Sequence, residues 1–383
     1  MHLQPRQQKT AKAIFLGAVF LYWVSLYFYV PTLPVYVENR VGSLALVGVV
    51  LSMYGLWQAI IRLPVGIAAD LLGRRKPFIL VGLGLSAVGA LILGHSAGFA
   101  GLAAGRAVTG LAAATWVPLV VMFSAMYKPE DALQATTILA LVSSVSRMLA
   151  TGLNGTLNDL GGYPLAFLLA AATAGLGILA ILPVRETRIE GAGFSLREVK
   201  GVVTRRDVLV PALISAVSQH VAWTATFGFL PLLAEKLGAS EVLLSMLTSM
   251  NIGVVLLGNL VVTSLVKRLG ALPLLYMSVI LSSVGVLLAA LAGSLLLVFA
   301  AQFCLGLSFG IGSPLLMGKS IERVDNNQRA TAMGLHQAVY AVGMFSGPWL
   351  SGLLAELTGI QPMFAITAGV SLVLALAGLR HMR

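Results

Sequence analysis

Twelve long apolar runs, separated by short polar breaks, fill the chain at about 14–37, 44–70, 77–97, 99–126, 132–156, 164–184, 208–234, 242–266, 271–292, 295–318, 330–354 and 362–379. Each is long enough to cross the hydrocarbon core of a bilayer, which takes roughly 20 apolar helical residues. The pattern therefore predicts an all-α membrane protein with twelve transmembrane helices. The longest polar stretch, Arg185 to Asp207, interleaves Arg and Glu around Gly191-Ala-Gly193 and separates six runs from six. Its segment Phe194 to Lys200 has the length of a short surface helix, although a solvated linker is the simpler expectation. The chain so divides into an N-terminal bundle (1–184), a cytoplasmic linker (185–207) and a C-terminal bundle (208–383).

The two halves repeat. Gly155-Thr-Leu-Asn-Asp159 with Pro164 and Phe167 closes the fifth run, and Gly352-Leu-Leu-Ala-Glu356 with Pro362 and Phe364 closes the eleventh. Glycine and acid keep a constant offset, while proline and phenylalanine need a shift of one or two residues. Two six-helix halves that bind a solute at their midplane interface are the architecture expected of such repeats.

Composition agrees, with 58% hydrophobic and 10% charged residues and a mean hydropathy of +0.93. So few charges cannot cover a water-facing surface, so lipid is the solvent for most of the chain. The net charge of +11 reports topology rather than nucleic-acid binding. Twenty of the 25 Lys and Arg residues fall at the two termini or in alternate loops, and only Arg40 and Lys236 lie on the other side. By the positive-inside tendency both termini are cytoplasmic, in a multi-pass protein of a bacterial-type inner membrane. Arg6, Lys9 and Lys12 precede a first run too long for a cleaved signal peptide, which makes it an uncleaved first helix. The single Cys304 forbids an internal disulfide.

Between the second and third runs stands Gly66-Ile-Ala-Ala-Asp70-Leu-Leu-Gly73-Arg74-Arg75-Lys76. This spacing resembles the loop between helices 2 and 3 of the major facilitator superfamily, except that Leu71 stands where a basic residue is usual. Gly258 to Gly270, with Lys267 and Arg268, is a worn echo of it without the acid. The resemblance covers nearly the whole chain. It implies two pseudo-symmetric six-helix bundles, with helices 1, 2, 4, 5, 7, 8, 10 and 11 around a central cavity. It also implies that Gly66, Asp70, Gly73 and Arg74 gate the transition between states, with Asp70 docking on the start of the eleventh span near Ala330. Arg106 with Gly110 resembles the family's helix 4 motif, which ties Arg106 to proton coupling, gating or helix packing. Where drug–proton antiporters carry a glycine-proline motif in helix 5, this chain reads Ser146-Arg147-Met-Leu-Ala-Thr151-Gly152. The matching Gly343-Met-Phe-Ser-Gly347-Pro348 of the eleventh span keeps the motif.

Once the loops are counted, three charges remain inside runs: Arg62, Arg106 and Arg147. Each costs about 2.5–3.5 kcal/mol at the centre of a span on insertion scales. All three fall on spans the family places around the cavity, and no Asp or Glu lies at depth to neutralise them. Such a cavity favours an anionic or acidic-headed solute over a lipophilic cation. Arg147, near the midplane, and Arg62 are the first substrate-binding candidates. Trp23 with Tyr27, Gln219 with Trp223, and His336 with Tyr340 share helix faces four residues apart, and His220 and Gln337 add to that lining. His220 and His336, able to titrate near neutral pH, are the candidates for proton coupling.

The sequence contains no Walker motif, no metal-spaced His/Cys cluster and no nucleophile elbow. The expectation is a secondary transporter without cofactor, metal or enzymatic activity, acting as a monomer in the lipid bilayer. It would move a small organic anion or amphipathic acid by proton coupling or exchange. Multidrug or lipid-like amphiphile efflux with structural arginines is the alternative.

Overall fold

In a computed structural model, which describes residues 5–128, 131–186, 201, 204–325 and 328–382, the apolar runs become helices and no strand forms among the described residues. The N-terminal half contains α1 (Pro5–Tyr27), α2 (Leu33–Val41), α3 (Leu44–Leu72), α4 (Lys76–His95), α5 (Phe99–Ala114), α6 (Trp116–Ser124) and α7 (Ala132–Ile181). The C-terminal half contains α8 (Arg206–Thr224), α9 (Leu230–Lys236), α10 (Glu241–Leu269), α11 (Ala271–Ala290), α12 (Leu295–Glu322), α13 (Arg329–Thr358) and α14 (Ile360–Arg380). Phe194 to Lys200, expected as a linker or a surface helix, lies outside the described residues.

Prolines stand at the breaks in the runs, although Pro64, Pro314 and Pro348 lie inside helices that continue past them. A proline inside a helix loses one hydrogen bond and its ring crowds the carbonyl four residues earlier. Pro31 thus ends α1 at Tyr27, Pro118 ends α5 at Ala114, and Pro164 falls just after a break at Gly161 and Gly162 in α7. Gly162 has φ +68°, a conformation that a side chain resists, so the fifth and sixth runs are two spans joined at a glycine corner. Pro231 acts on Phe227, in the middle of a five-residue π-helical turn, Ala225–Phe229, between α8 and α9. The first, fourth and seventh spans, each expected as one helix, are therefore interrupted. Twelve spans result among the described residues, since eleven of their helical stretches are long and apolar enough to cross a membrane and the one over Gln134–Ile181 turns back on itself.

Each half packs around its own buried side chains, α1 on α7 and α3 and α4 on α5 in one, α8 on α13 and α11 on α12 in the other. The halves meet along two helix pairs, α3 with α13 and α7 with α10. Both pairs are tightest at the end away from the basic loops. A Cβ on Gly48 would lie 2.8 Å from Gly352 Cα, and one on Gly155 would lie 2.3 Å from the Glu241 carbonyl oxygen. Glu356 Oε2 accepts from Ser43 Oγ and from the Ala45 amide at the start of α3, both at 3.1 Å. Glu241, at the start of α10, accepts from the Tyr163 hydroxyl and from Asn158 Nδ2 at 3.0 Å. Toward the basic end, cross-half bonds join Arg62 with Tyr340 and Ser249 with the Met148 carbonyl. One turn beyond Arg62, a Cβ on Gly66 would meet only Val117, at 4.0 Å. The two bundles are thus clamped at the opposite end and parted toward the basic one.

Gly48→Leu is expected to force α3 and α13 apart at about 1–3 kcal/mol, the usual cost of overpacking, and to lower the unfolding midpoint of the purified protein. Gly66→Ala, which has room, should leave it in place. Equal midpoints for both variants would show that the close crossing does not hold the opposite end shut.

Candidate functional site

The three arginines of the spans sit on α3, α5 and α7, and all three stack on aromatic rings. Arg62 donates from Nη1 to the Tyr340 hydroxyl and from Nη2 to Gln58 Oε1, both at 2.7 Å. Its guanidinium carbon is 5.6 Å from the Tyr340 ring centre. Arg147 donates from Nε to the Ser143 carbonyl at 3.1 Å and from Nη2 to Ser144 Oγ at 3.4 Å. It lies 5.1 Å from the Trp23 ring and 5.6 Å from Tyr27. Arg106, only 2% exposed, lies 4.2 Å from the Tyr54 ring and 5.9 Å from Trp223. Cation–π contacts of this kind contribute up to about 2 kcal/mol when desolvated. None of the three meets a carboxylate among the described residues, whose ion pairs are Arg75–Asp70, Arg205–Asp207, Lys236–Glu38 and Lys319–Glu322.

The rings beneath Arg147 and Arg106 form one continuous ladder. Trp116 contacts Trp23 at 5.0 Å, Trp23 contacts Tyr27 at 5.7 Å, and Tyr27 contacts Phe227 at 6.3 Å. Phe227 then contacts Trp223 at 4.9 Å, and Trp223 stacks on Tyr54 at 5.1 Å. The ladder crosses from one half to the other twice, at Tyr27–Phe227 and at Tyr54–Trp223. Three of its rungs owe their positions to the proline breaks: Tyr27 ends α1, Trp116 begins α6, and Phe227 sits in the π turn.

Around the ladder, buried donors outnumber acceptors. Trp23 Nε1, Arg62 Nε, Arg106 Nε and Nη1, and the Tyr29 hydroxyl have no hydrogen-bond partner among the described residues. A buried donor left unmatched costs about 1–3 kcal/mol, more when charged. The arrangement is suited to a solute that brings acceptors and negative charge.

Of the residues singled out from sequence, Arg62, Arg147, Trp23, Tyr27, Trp223 and Tyr340 thus stand in this one neighbourhood, with Arg106 beside them. Gln219 and Gln337 are partly buried on α8 and α13 and make no side-chain hydrogen bond among the described residues. His220 stands elsewhere, whereas the His336 ring packs edge-on against Tyr340, 5.9 Å between ring centres. His220 Nδ1 is 3.0 Å from Ser346 Oγ, and the ring lines a lateral apolar groove of about 670 Å³ between α8, α13 and α14. His336 is fully buried, with Nδ1 2.6 Å from Ser320 Oγ on α12. Both rings are turned toward other helices of their own half because those neighbours supply their hydrogen bonds. Tyr54, Gln58, Trp116 and Phe227 were not among the expected lining residues. Gln58 and Tyr54 lie one and two turns before Arg62 on the same helix face, a signal present in the sequence.

The basic loop differs from expectation at Asp70. Its carboxylate binds Arg75 Nη2 at 2.6 Å within its own loop. No hydrogen bond or ion pair among the described residues joins it to the start of α13. Gly73, at φ +65°, closes α3, and Arg74 remains exposed. The Arg75 and Lys76 amides donate to Glu186, and Lys76 Nζ donates to the Leu182 and Val184 carbonyls at 2.6 and 2.9 Å. The loop is therefore tied to the last span of its own half.

The chain is similar to known proteins over its full length. It is 26% identical over 337 residues to the tetracycline resistance protein, class H, of Pasteurella multocida, covering 84% of this chain and 82% of that one. Its fold superposes on the crystal structure of a bacterial homologue of the human lysosomal transporter Spinster, inward-facing and unoccupied, with TM-score 0.81, 14% identity and 99% and 98% coverage. It also superposes on the human organic anion transporter MFSD10 with TM-score 0.69, 16% identity and full coverage of both chains. The profile of the Major Facilitator Superfamily matches residues 15–218 and again 212–382, and the chain belongs to that family of membrane transporters.

Proposed function

We infer that this transporter carries a small organic anion or amphipathic acid. The observation that supports it is the set of buried donors and three arginines around the aromatic ladder, with no carboxylate among the described residues to match them. In this reading the acid group pairs with Arg147 and Arg62, and the apolar part of the solute lies on Trp23, Tyr27 and Tyr340. MFSD10 is an organic anion transporter on the same fold, so the architecture accommodates such cargo. With the basic end in the cytoplasm of an inner-membrane protein, the described state opens inward. Alternating access then follows from rocking 1–184 against 208–383 across the Gly48–Gly352 and Gly155–Glu241 crossings. When the basic end closes, Asp70 exchanges Arg75 for the start of α13 near Ala330. Exchange of one anion for another fits the site better than proton coupling through histidine, because His220 faces a lateral groove and His336 touches the site only through Tyr340.

A second reading is efflux of neutral or cationic drugs, favoured by the similarity to the tetracycline resistance protein. There the arginines are struts and the rings alone bind.

A thermal-shift measurement of the purified monomer against benzoate, decanoate, tetraphenylphosphonium and a neutral amphiphile separates the two. Ligand at about 100 times its Kd adds about 2.7 kcal/mol. Benzoate or decanoate is expected to stabilise the wild type, and Arg147→Ala to lose that stabilisation while still folding. Stabilisation by the cation or the neutral compound alone would establish the drug reading instead. Asp70→Asn should slow exchange into proteoliposomes and change the apparent Kd by less than about twofold; a large loss of affinity would contradict its gating role. Replacing both His220 and His336 with Gln should leave the pH profile of exchange unaltered, and a flattened profile would return proton coupling to the histidines.

A further inference from the structure

We propose that Arg106 is a second anion station, on the far side of the aromatic ladder from Arg62 and Arg147, reached only when the ladder parts between the halves. The proposal rests on the anion reading above and adds a position along the path.

Depth separates the stations. Arg62 lies eight residues, about 12 Å at helical rise, from Asp70 at the basic end. Arg106 lies eight residues, about 12 Å, from Gly98 at the opposite end. In a hydrocarbon core of about 30 Å they fall on different sides of the midplane. Access separates them as well. Arg62 and Arg147 are partly exposed in the state that opens at the basic end, whereas Arg106 is sealed.

The seal is made by two rings from different halves. Tyr54 belongs to α3 and Trp223 to α8, and their stacked rings, 5.1 Å apart, both face the Arg106 guanidinium. Rocking one half against the other pulls Trp223 away while Tyr54 stays. What is then uncovered is a cation already carrying unmatched donors. Arg106 Nε and Nη1 close no hydrogen bond of good geometry among the described residues, and the Tyr29 hydroxyl is the polar group that neighbours them. An arginine that served only to pack helices would be expected to spend these donors on backbone carbonyls, as Arg147 does on Ser143. A carboxylate or sulfonate accepts two such bonds at once. The solute's acid group is therefore handed from Arg147 and Arg62 to Arg106 as the Tyr27–Phe227 and Tyr54–Trp223 seams open, and it leaves from Arg106 at the opposite end.

Arg106→Gln and Arg106→Lys test this in the full chain with benzoate and decanoate as probes. In thermal shift, Arg106→Gln is expected to keep the apparent Kd within about threefold of wild type, because the station is closed in the described state. In proteoliposomes the same variant should slow exchange of the labelled probe by about tenfold or more, with Arg106→Lys intermediate. Unchanged exchange would overturn the station, and a loss of affinity as large as that of Arg147→Ala would merge Arg106 into the first site. A wild type stabilised by neither probe would remove the anion reading itself, a result distinct from both. Should Arg106→Gln not fold, Arg106→Cys in a Cys304→Ser chain gives an independent test. A membrane-impermeant thiol reagent should label it from the opposite face only, and faster during exchange. Labelling from the basic face, or none from either, would overturn the proposal.

Discussion

A guanidinium in the low-dielectric interior of a membrane needs a counter-charge, a hydrogen-bond acceptor or a polarisable surface. This chain carries three at depth, and among the described residues none of them meets a carboxylate. Aromatic faces take that place: Tyr340 under Arg62, Trp23 and Tyr27 under Arg147, and Tyr54 and Trp223 around Arg106. A ring face offers attraction to a cation without cancelling its charge. The positive potential of the site is thereby preserved for a solute, which a salt bridge would have quenched.

The rings can do this only because the helices that carry them are broken. A straight first, fourth or seventh span would continue its helical register past Tyr27, Trp116 and Phe227. Pro31, Pro118 and Pro231 end or widen the helix at those residues. A π turn inserts one extra residue and re-aims the side chains beside it, a device common at functional sites. The local cost of each break is placed where the rungs must meet from different directions.

Closing and opening are set by different chemistry at the two ends. At the opposite end glycine removes side chains between crossing helices, and Glu356 and Glu241 cap or bridge across the halves. At the basic end the polar groups satisfy one another within a half, Asp70 with Arg75 and Lys76 with the end of α7. A half that is self-sufficient at one end and mortised to its partner at the other can rock about the ladder between them. The two seams of the ladder are the only rungs that such a movement must break.

Much of this protein was legible in its sequence. Apolar run length fixes the spans because lipid demands internally bonded backbone, loop charge suggests their orientation, and the lone arginines at depth mark the site. The prolines at 31, 118 and 231 also stood in plain view, two or four residues from rungs of the ladder, and periodicity alone passed over them because a run stays apolar across a break. Other features were decided only by tertiary structure. His220 lies three residues before Trp223, only about 60° away around the helix, yet His220 faces Ser346 in a lateral groove while Trp223 faces Arg106, because different helices flank that stretch on its two sides. The partner of Asp70 depended on how far apart the halves stand at the basic end. That separation is a property of the conformational state, and no single span encodes it.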